Sequence, residues 1–155
     1  MIPAAELSTL AVIGLASFAV ATDLRSGRIP NRLTLPALGL GVTLGAIEGG
    51  APGLALSLAG AATGAAFLLA PAAFGAIGGG DLKFQAAVGA LMGPLFAAVS
   101  LGLAGLFGGA MALAYVAWHV AARRSRVRDA LRHGLPYAPA LASGVVGALL
   151  LRHVV

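Results

Sequence analysis

The chain has 155 residues, 59% of them hydrophobic and only 10% charged, with ten Lys and Arg against five Asp and Glu and a net charge of +5. Its mean hydropathy is +0.97, which excludes an ordinary water-soluble domain, where about one quarter of residues are charged. The absence of cysteine excludes disulfides, thiolate catalysis and Cys-based zinc sites, and in so apolar a chain the basic excess marks loop orientation rather than nucleic-acid binding.

Gly, Pro and charge punctuate the chain into about six apolar segments, 5–22, 33–47, 53–76, 84–93, 95–120 and 137–153. The expectation is an all-α polytopic membrane helix bundle of about six transmembrane segments, forming a single domain over 1–155 with no room for a separate soluble unit. Leu7 to Thr22, Leu54 to Ile77 and Phe96 to Trp118 approach or exceed the roughly 20 residues that cross a bilayer core. The first segment, ending in Ala19-Val20-Ala21, imitates a secretory signal. Glu6 stands where such a signal needs positive charge and no Lys or Arg precedes it, so it reads as a retained helix.

The second and third segments flank a Gly49-Gly50-Ala51-Pro52-Gly53 turn. The fourth is too short to span alone, since about ten helical residues rise only ~15 Å; it reads as a half-helix or a tilted one, broken from the fifth at Gly93-Pro94. Small residues recur at four-residue spacing in Gly41 and Gly45, Gly60 and Gly64, and Gly105 and Gly109. Such pairs let helix backbones approach, and packing within the bundle is preferred over an oligomer interface.

Short cytoplasmic loops carry the excess of Lys and Arg. With the N-terminus outside, Arg25, Arg28, Arg32, Lys83, Arg123, Arg124, Arg126, Arg128 and Arg132 all fall on the cytoplasmic side, and only Arg152 falls outside. The same arrangement brings the loops 23–32 and 77–83, each with an aspartate, to one face, and sends Glu6 and Glu48 to the other.

Carboxylates at a membrane boundary are functional candidates because they are costly to bury. Asp23 directly follows the first apolar segment, and Asp81 follows Gly78, Gly79 and Gly80. Two neighbouring carboxyls that cannot both ionise share a proton, giving one base to activate water and one acid to stabilise an oxyanion. The three glycines permit positive φ and close passage of an extended backbone, or simply make a turn. Lys83 tunes the aspartate, orients a substrate carbonyl, or is a plain loop cation.

These residues resemble a known family. Gly78-Gly79-Gly80-Asp81-Leu82-Lys83-Phe84 looks like the second active-site motif, Gly-x-Gly-Asp, of the type IV prepilin peptidases, which are membrane aspartyl proteases. Asp23-Leu24-Arg25-Ser26-Gly27-Arg28-Ile29-Pro30-Asn31 looks like the first, and Pro136-Tyr137-Ala138-Pro139-Ala140 resembles the proline-aromatic segment that opens the family's last helix. The resemblance implies that Asp23 and Asp81 are the catalytic pair, with Gly78, Gly79, Gly80, Lys83, Ile29, Pro30 and Asn31 as substrate-binding or supporting residues. It implies a pilin-like precursor as substrate, cut at its N-terminal leader on the cytoplasmic side of a bacterial inner membrane.

Larger members of that family carry an N-terminal domain with paired Cys-x-x-Cys motifs that methylates the new N-terminus. Without cysteine, this chain resembles the short forms that serve tight-adherence (Flp-type) pili, and cleavage without methylation is expected. Ala138 stands where many relatives have glycine.

His119, His133 and His153 show no metal-ligand spacing, and neither metal nor organic cofactor is expected. The Arg123 to Arg132 cluster reads as a contact with anionic lipid headgroups, at about 1 kcal/mol per charge, and Asp129 as an offset within it. No Gly-x-Ser-x-Gly elbow or Ser-Lys arrangement supports a serine protease. The competing readings are a presenilin-like intramembrane protease and a small ion-coupled transporter built on membrane carboxylates and broken helices.

Overall fold

The structure, a computed structural model, describes residues 4–74, 77–121 and 137–154. Among these described residues five helices follow one another: α1 (Ala4–Ser26), α2 (Asn31–Ala73), α3 (Gly79–Met92), α4 (Pro94–Ala121) and α5 (Ala138–Val154). No strand occurs among the described residues. The sequence expectations for Arg123, Arg124, Arg126, Arg128, Asp129, Arg132, His133 and Pro136 lie outside those residues.

Helix α2 is bent double. Gly50 leaves helical geometry at φ 58° and ψ −138°, a region that costs a residue with a Cβ but not glycine. The two arms then return along each other: Ser57 Oγ donates to Gly41 O across 3.2 Å, and a Cβ on Gly53 would run into Gly45 O. Pro52 falls in the first turn after the bend, where its missing N–H has no intrahelical partner to lose. The arms account for the separate segments 33–47 and 53–76.

The membrane expectation holds in a coarser form. Three helices are long and apolar enough to cross a bilayer, over Ala5–Ser26, Asn31–Ala73 and Pro94–Tyr115, whereas Ala138–Arg152 is apolar but shorter. Helix α3 has 14 residues and rises about 21 Å. It begins five residues before the expected segment 84–93 because the Gly79-Gly80-Asp81 stretch forms its first turn.

The side chains are arranged for a lipid solvent. Large apolar residues point outward, among them Phe18, Ile47, Phe67, Leu106, Leu113 and Trp118, a surface that would aggregate in water. Small residues lie inside. Helix α3 is the hub, buried continuously from Phe84 to Leu91, and it meets α2 backbone to backbone. A Cβ on Gly60 would strike Gly89 O, one on Gly64 would strike Gln85 O, and one on Gly41 would come 2.6 Å from the Ala90 carbonyl carbon. Around this contact Val12, Leu15, Ala16 and Ala19 of α1 and Leu141 and Val145 of α5 close the core with Phe84 and Val88.

Gly144 of α5 sits against Ala104 and Ser100 O of α4. The fully buried Gln85 clips α3 to α4 through Nε2, which donates to Ala97 O at 3.0 Å and to Ser100 Oγ at 2.8 Å. Its Oε1 and the Thr34 hydroxyl have no hydrogen-bond partner among the described residues.

The glycine pairs thus divide. Gly41, Gly45, Gly60 and Gly64 are used inside the bundle, whereas Gly105 and Gly109 meet nothing within 4 Å and face outward. Gly89→Leu should therefore destabilise the protein by about 3 kcal/mol or more, because backbone atoms cannot yield. Gly105→Leu should change stability by no more than about 0.5 kcal/mol. Reversible unfolding in mixed micelles measures both.

Candidate active site

Asp23 lies in the last turns of α1, which runs on to Ser26, and is 8% exposed. The helix ends where Gly27 adopts φ 64° and donates its N–H to Asp23 O at 2.7 Å, a left-handed C-terminal cap of the kind glycine supplies. The chain then passes through buried Ile29 to Pro30, whose φ of −74° and ψ of 144° open α2.

Asp81 is the third residue of α3 and also 8% exposed. Its Oδ2 accepts the N–H of Gly78 at 3.1 Å, and its own N–H donates to Gly78 O at 3.1 Å. This reciprocal pair satisfies backbone groups that the start of a helix leaves open. A carboxylate in the first turn is further favoured by the helix dipole.

Asp23 has a corresponding partner far away in sequence. Its Oδ2 accepts the N–H of Ala138 at 3.1 Å, the first residue of α5 and therefore a donor without an intrahelical acceptor. Tyr137, the residue before it, is half-buried, and its phenol is raised above the ordinary range by burial and then by the charge of Asp81. The opening of α5 therefore touches Asp23 through its backbone and lies in the field of Asp81. Neither Ala138 nor Tyr137 stood among the expected site residues; the only signal for them was the Pro136-Tyr137-Ala138-Pro139-Ala140 segment.

Asp81 lies outside the three helices long enough to span, and its carboxyl is raised above the ordinary aspartate range. Burial is the largest cause; the Gly78 N–H bond opposes it, and the negative charge of Asp23 adds to it. The charge of Asp23 is thus felt at Asp81, as a neighbouring like charge disfavours the ionised form of a carboxyl.

The supporting residues sort by contact. A Cβ on Gly80 would come 2.8 Å from Ile29 O and 3.2 Å from Ile29 Cβ, so this glycine lets the loop after Asp23 pack on the turn before Asp81. Lys83 Nζ donates to Asn31 Oδ1 at 2.8 Å, a second tie between the two aspartate-bearing regions. Gly79 faces open space within 4 Å. The positive φ that the triplet would permit is not found in it: among the described residues Gly27, Gly50 and Gly93 adopt it, while Gly78 has φ −77°. Close packing, not left-handed backbone, explains Gly80.

A raised acid binds its proton more tightly when folded than when unfolded, so its contribution to stability is fully present below about pH 3.8 and is lost as pH rises through the folded value. Asp81→Asn, which keeps an acceptor for Gly78 N–H without the charge, should resist denaturation better than the parent near neutral pH. The difference should vanish on acidification below the ordinary aspartate range. Paired unfolding curves at pH 3 and pH 7 test this.

Among the described residues no group of three or more His, Asp or Glu is placed to hold a metal ion. Neither a curated protein nor a solved structure matches the chain. A model of the type IV leader peptidase family matches residues 10–113, a span that includes both aspartates and every supporting residue from Ile29 to Lys83. The chain is a member of the type IV leader peptidase family, and so a peptidase.

Proposed function

We propose that the protein removes the N-terminal leader of pilin-like precursors at the cytoplasmic face of a bacterial inner membrane, as an aspartic endopeptidase using Asp23 and Asp81. The observation that carries this reading is the convergence of the two acids. Both are buried at one end of the bundle, each accepts a backbone N–H, and the charge of one is felt by the other. Membership of a leader peptidase family favours a peptide substrate over an ion, leaving the transporter reading without support.

The chemistry follows from the difference between the two environments. Asp81, the acid pushed toward its protonated form, hydrogen-bonds the scissile carbonyl oxygen and stabilises the charge that develops there. Asp23, facing the start of α5, acts as the base that removes a proton from water as the oxygen attacks the carbonyl carbon. That proton then passes to the leaving amine as the C–N bond breaks, and the pair returns to its singly protonated state. The open face at Gly79 admits an extended substrate segment, while Gly80 with Ile29 and Lys83 with Asn31 fix the spacing of the acids. No metal or organic cofactor takes part.

Orientation follows from charge. Arg25, Arg28, Arg32 and Lys83 belong to the end of α1 and the starts of α2 and α3, the same end as the acids, and Arg152 belongs to the other. The positive end faces the cytoplasm, and with the arms of α2 counted separately the helices make about six membrane segments. A precursor would present its basic leader to this end and its apolar helix to the bundle.

The test is cleavage, followed by mass, of a purified pilin precursor by the full chain in liposomes. Asp23→Asn and Asp81→Asn should each lower the rate by about 10³-fold or more, and cleavage that survives either change would overturn the mechanism. The parent should show a bell-shaped dependence of kcat/KM on pH. Its alkaline limb should lie above the ordinary aspartate range, because Asp81 must remain protonated and its proton is held more tightly than usual. A rate independent of pH between 4 and 9 would also overturn it.

A further inference from the structure

At the end of the bundle opposite the acids, the start of α1, the bend of α2, the end of α3 and the end of α5 enclose a cavity of about 330 Å³. Four polar side chains line it: Ser8, Glu48, Ser57 and Arg152. Ser8 is 7% exposed, yet its hydroxyl has no hydrogen-bond partner among the described residues. Glu48 likewise has none there, and Arg152 makes only a 4.0 Å contact from Nη1 to Met92 Sδ. Ser57 has committed its proton to Gly41 O and can only accept. One cation, one anion, a free hydroxyl donor and a hydroxyl acceptor thus line one cavity.

A second cavity of about 450 Å³ adjoins it, sharing Ala5 and Arg152, and is lined by Leu10, Leu149, Thr9 and Glu6. Leu10 is exposed on the outside of the bundle and Leu149 partly so. Arg152 stands at the seam between a polar chamber and an apolar groove.

We propose that this end of the bundle binds one phospholipid with a primary-amine zwitterionic headgroup, a phosphoethanolamine. Arg152 takes the phosphate, for which a guanidinium offers a planar fork of donors, with the Ser8 hydroxyl as a further donor. Glu48 and Ser57 accept N–H bonds from the ammonium. An acyl chain runs past Arg152 along Leu10 and Leu149. A net anionic headgroup would leave Glu48 facing like charge, and a trimethylammonium group has no N–H to give it, so the residues select among lipids by headgroup. This site is separate from the aspartate pair and does not depend on the peptidase reading.

Native mass spectrometry of the full chain in mixed micelles, with dioleoyl phosphatidylethanolamine, phosphatidylcholine and phosphatidylglycerol at equal concentration, tests it. Phosphatidylethanolamine should be retained about tenfold over each of the others, the size expected for a hydrogen bond to a charged group. Glu48→Ala should bring phosphatidylethanolamine and phosphatidylcholine close to parity, and Arg152→Gln should reduce retention of all three; both residues are solvent-facing, so the fold should persist. Equal retention of the three lipids by the parent, or a preference that survives Glu48→Ala, would overturn the proposal. Soluble phosphoethanolamine at the same concentration should give no thermal stabilisation, because it leaves the apolar groove unfilled. Stabilisation equal to that of the lipid would overturn a lipid as the source.

Discussion

The backbone contact between α3 and the two arms of α2 is the constraint on which the remaining geometry rests. Lipid gives apolar helices no hydrophobic reason to associate, so close packing must supply the attraction, and Gly41, Gly60, Gly64 and Gly89 allow backbone to meet backbone. Helix α3 is thereby enclosed along its buried length from Phe84 to Leu91. At about 21 Å of rise it is shorter than the ~30 Å hydrocarbon core, so its two ends cannot both reach the bilayer surfaces. A short, enclosed helix of this kind holds an acid at its first turn with protein packed around it.

Three chain segments meet at that acid. The end of α1 brings Asp23, the start of α3 brings Asp81, and the start of α5 brings the Ala138 N–H and the Tyr137 ring. Each carboxylate accepts a backbone donor that a helix start leaves free, which offsets part of the cost of burying it. Burial, and after it the negative charge of Asp23, pushes the Asp81 carboxyl toward its protonated form. The family match ends at residue 113, yet α5 beyond it completes the hydrogen bonding of Asp23.

The opposite end of the bundle is built differently. There the bend at Gly50 and the break at Gly93 carry positive φ, and a cavity between the helices is lined by hydroxyls and by single opposite charges. Along the outside, Gly105 and Gly109 open α4 to its surroundings without a partner. The glycines therefore serve three physical ends: backbone contact in the core, reversal of direction at Gly50 and Gly93, and the fit of the Ile29 loop against Gly80.

Read from the sequence alone, the apolar runs located each helix among the described residues, and the distribution of Arg and Lys put Asp23 and Asp81 at one end of the bundle. Those features are local or cumulative: a span needs a run of apolar residues, and orientation needs only a sum of charges. The extension of α3 back to Gly79 escaped that reading because its cause is a hydrogen bond between Asp81 and Gly78, which makes Gly79 and Gly80 helical where composition suggests a turn. Gly80 looked like a site of backbone freedom until Ile29, far earlier in the chain, was seen against it. The donor to Asp23 comes from position 138 and the partner of Lys83 from position 31. Composition and punctuation determined the solvent of this protein, its helices and the pair of acids. Only the tertiary structure decided what holds each acid, because those partners are backbone groups and distant loops whose meeting no local pattern encodes.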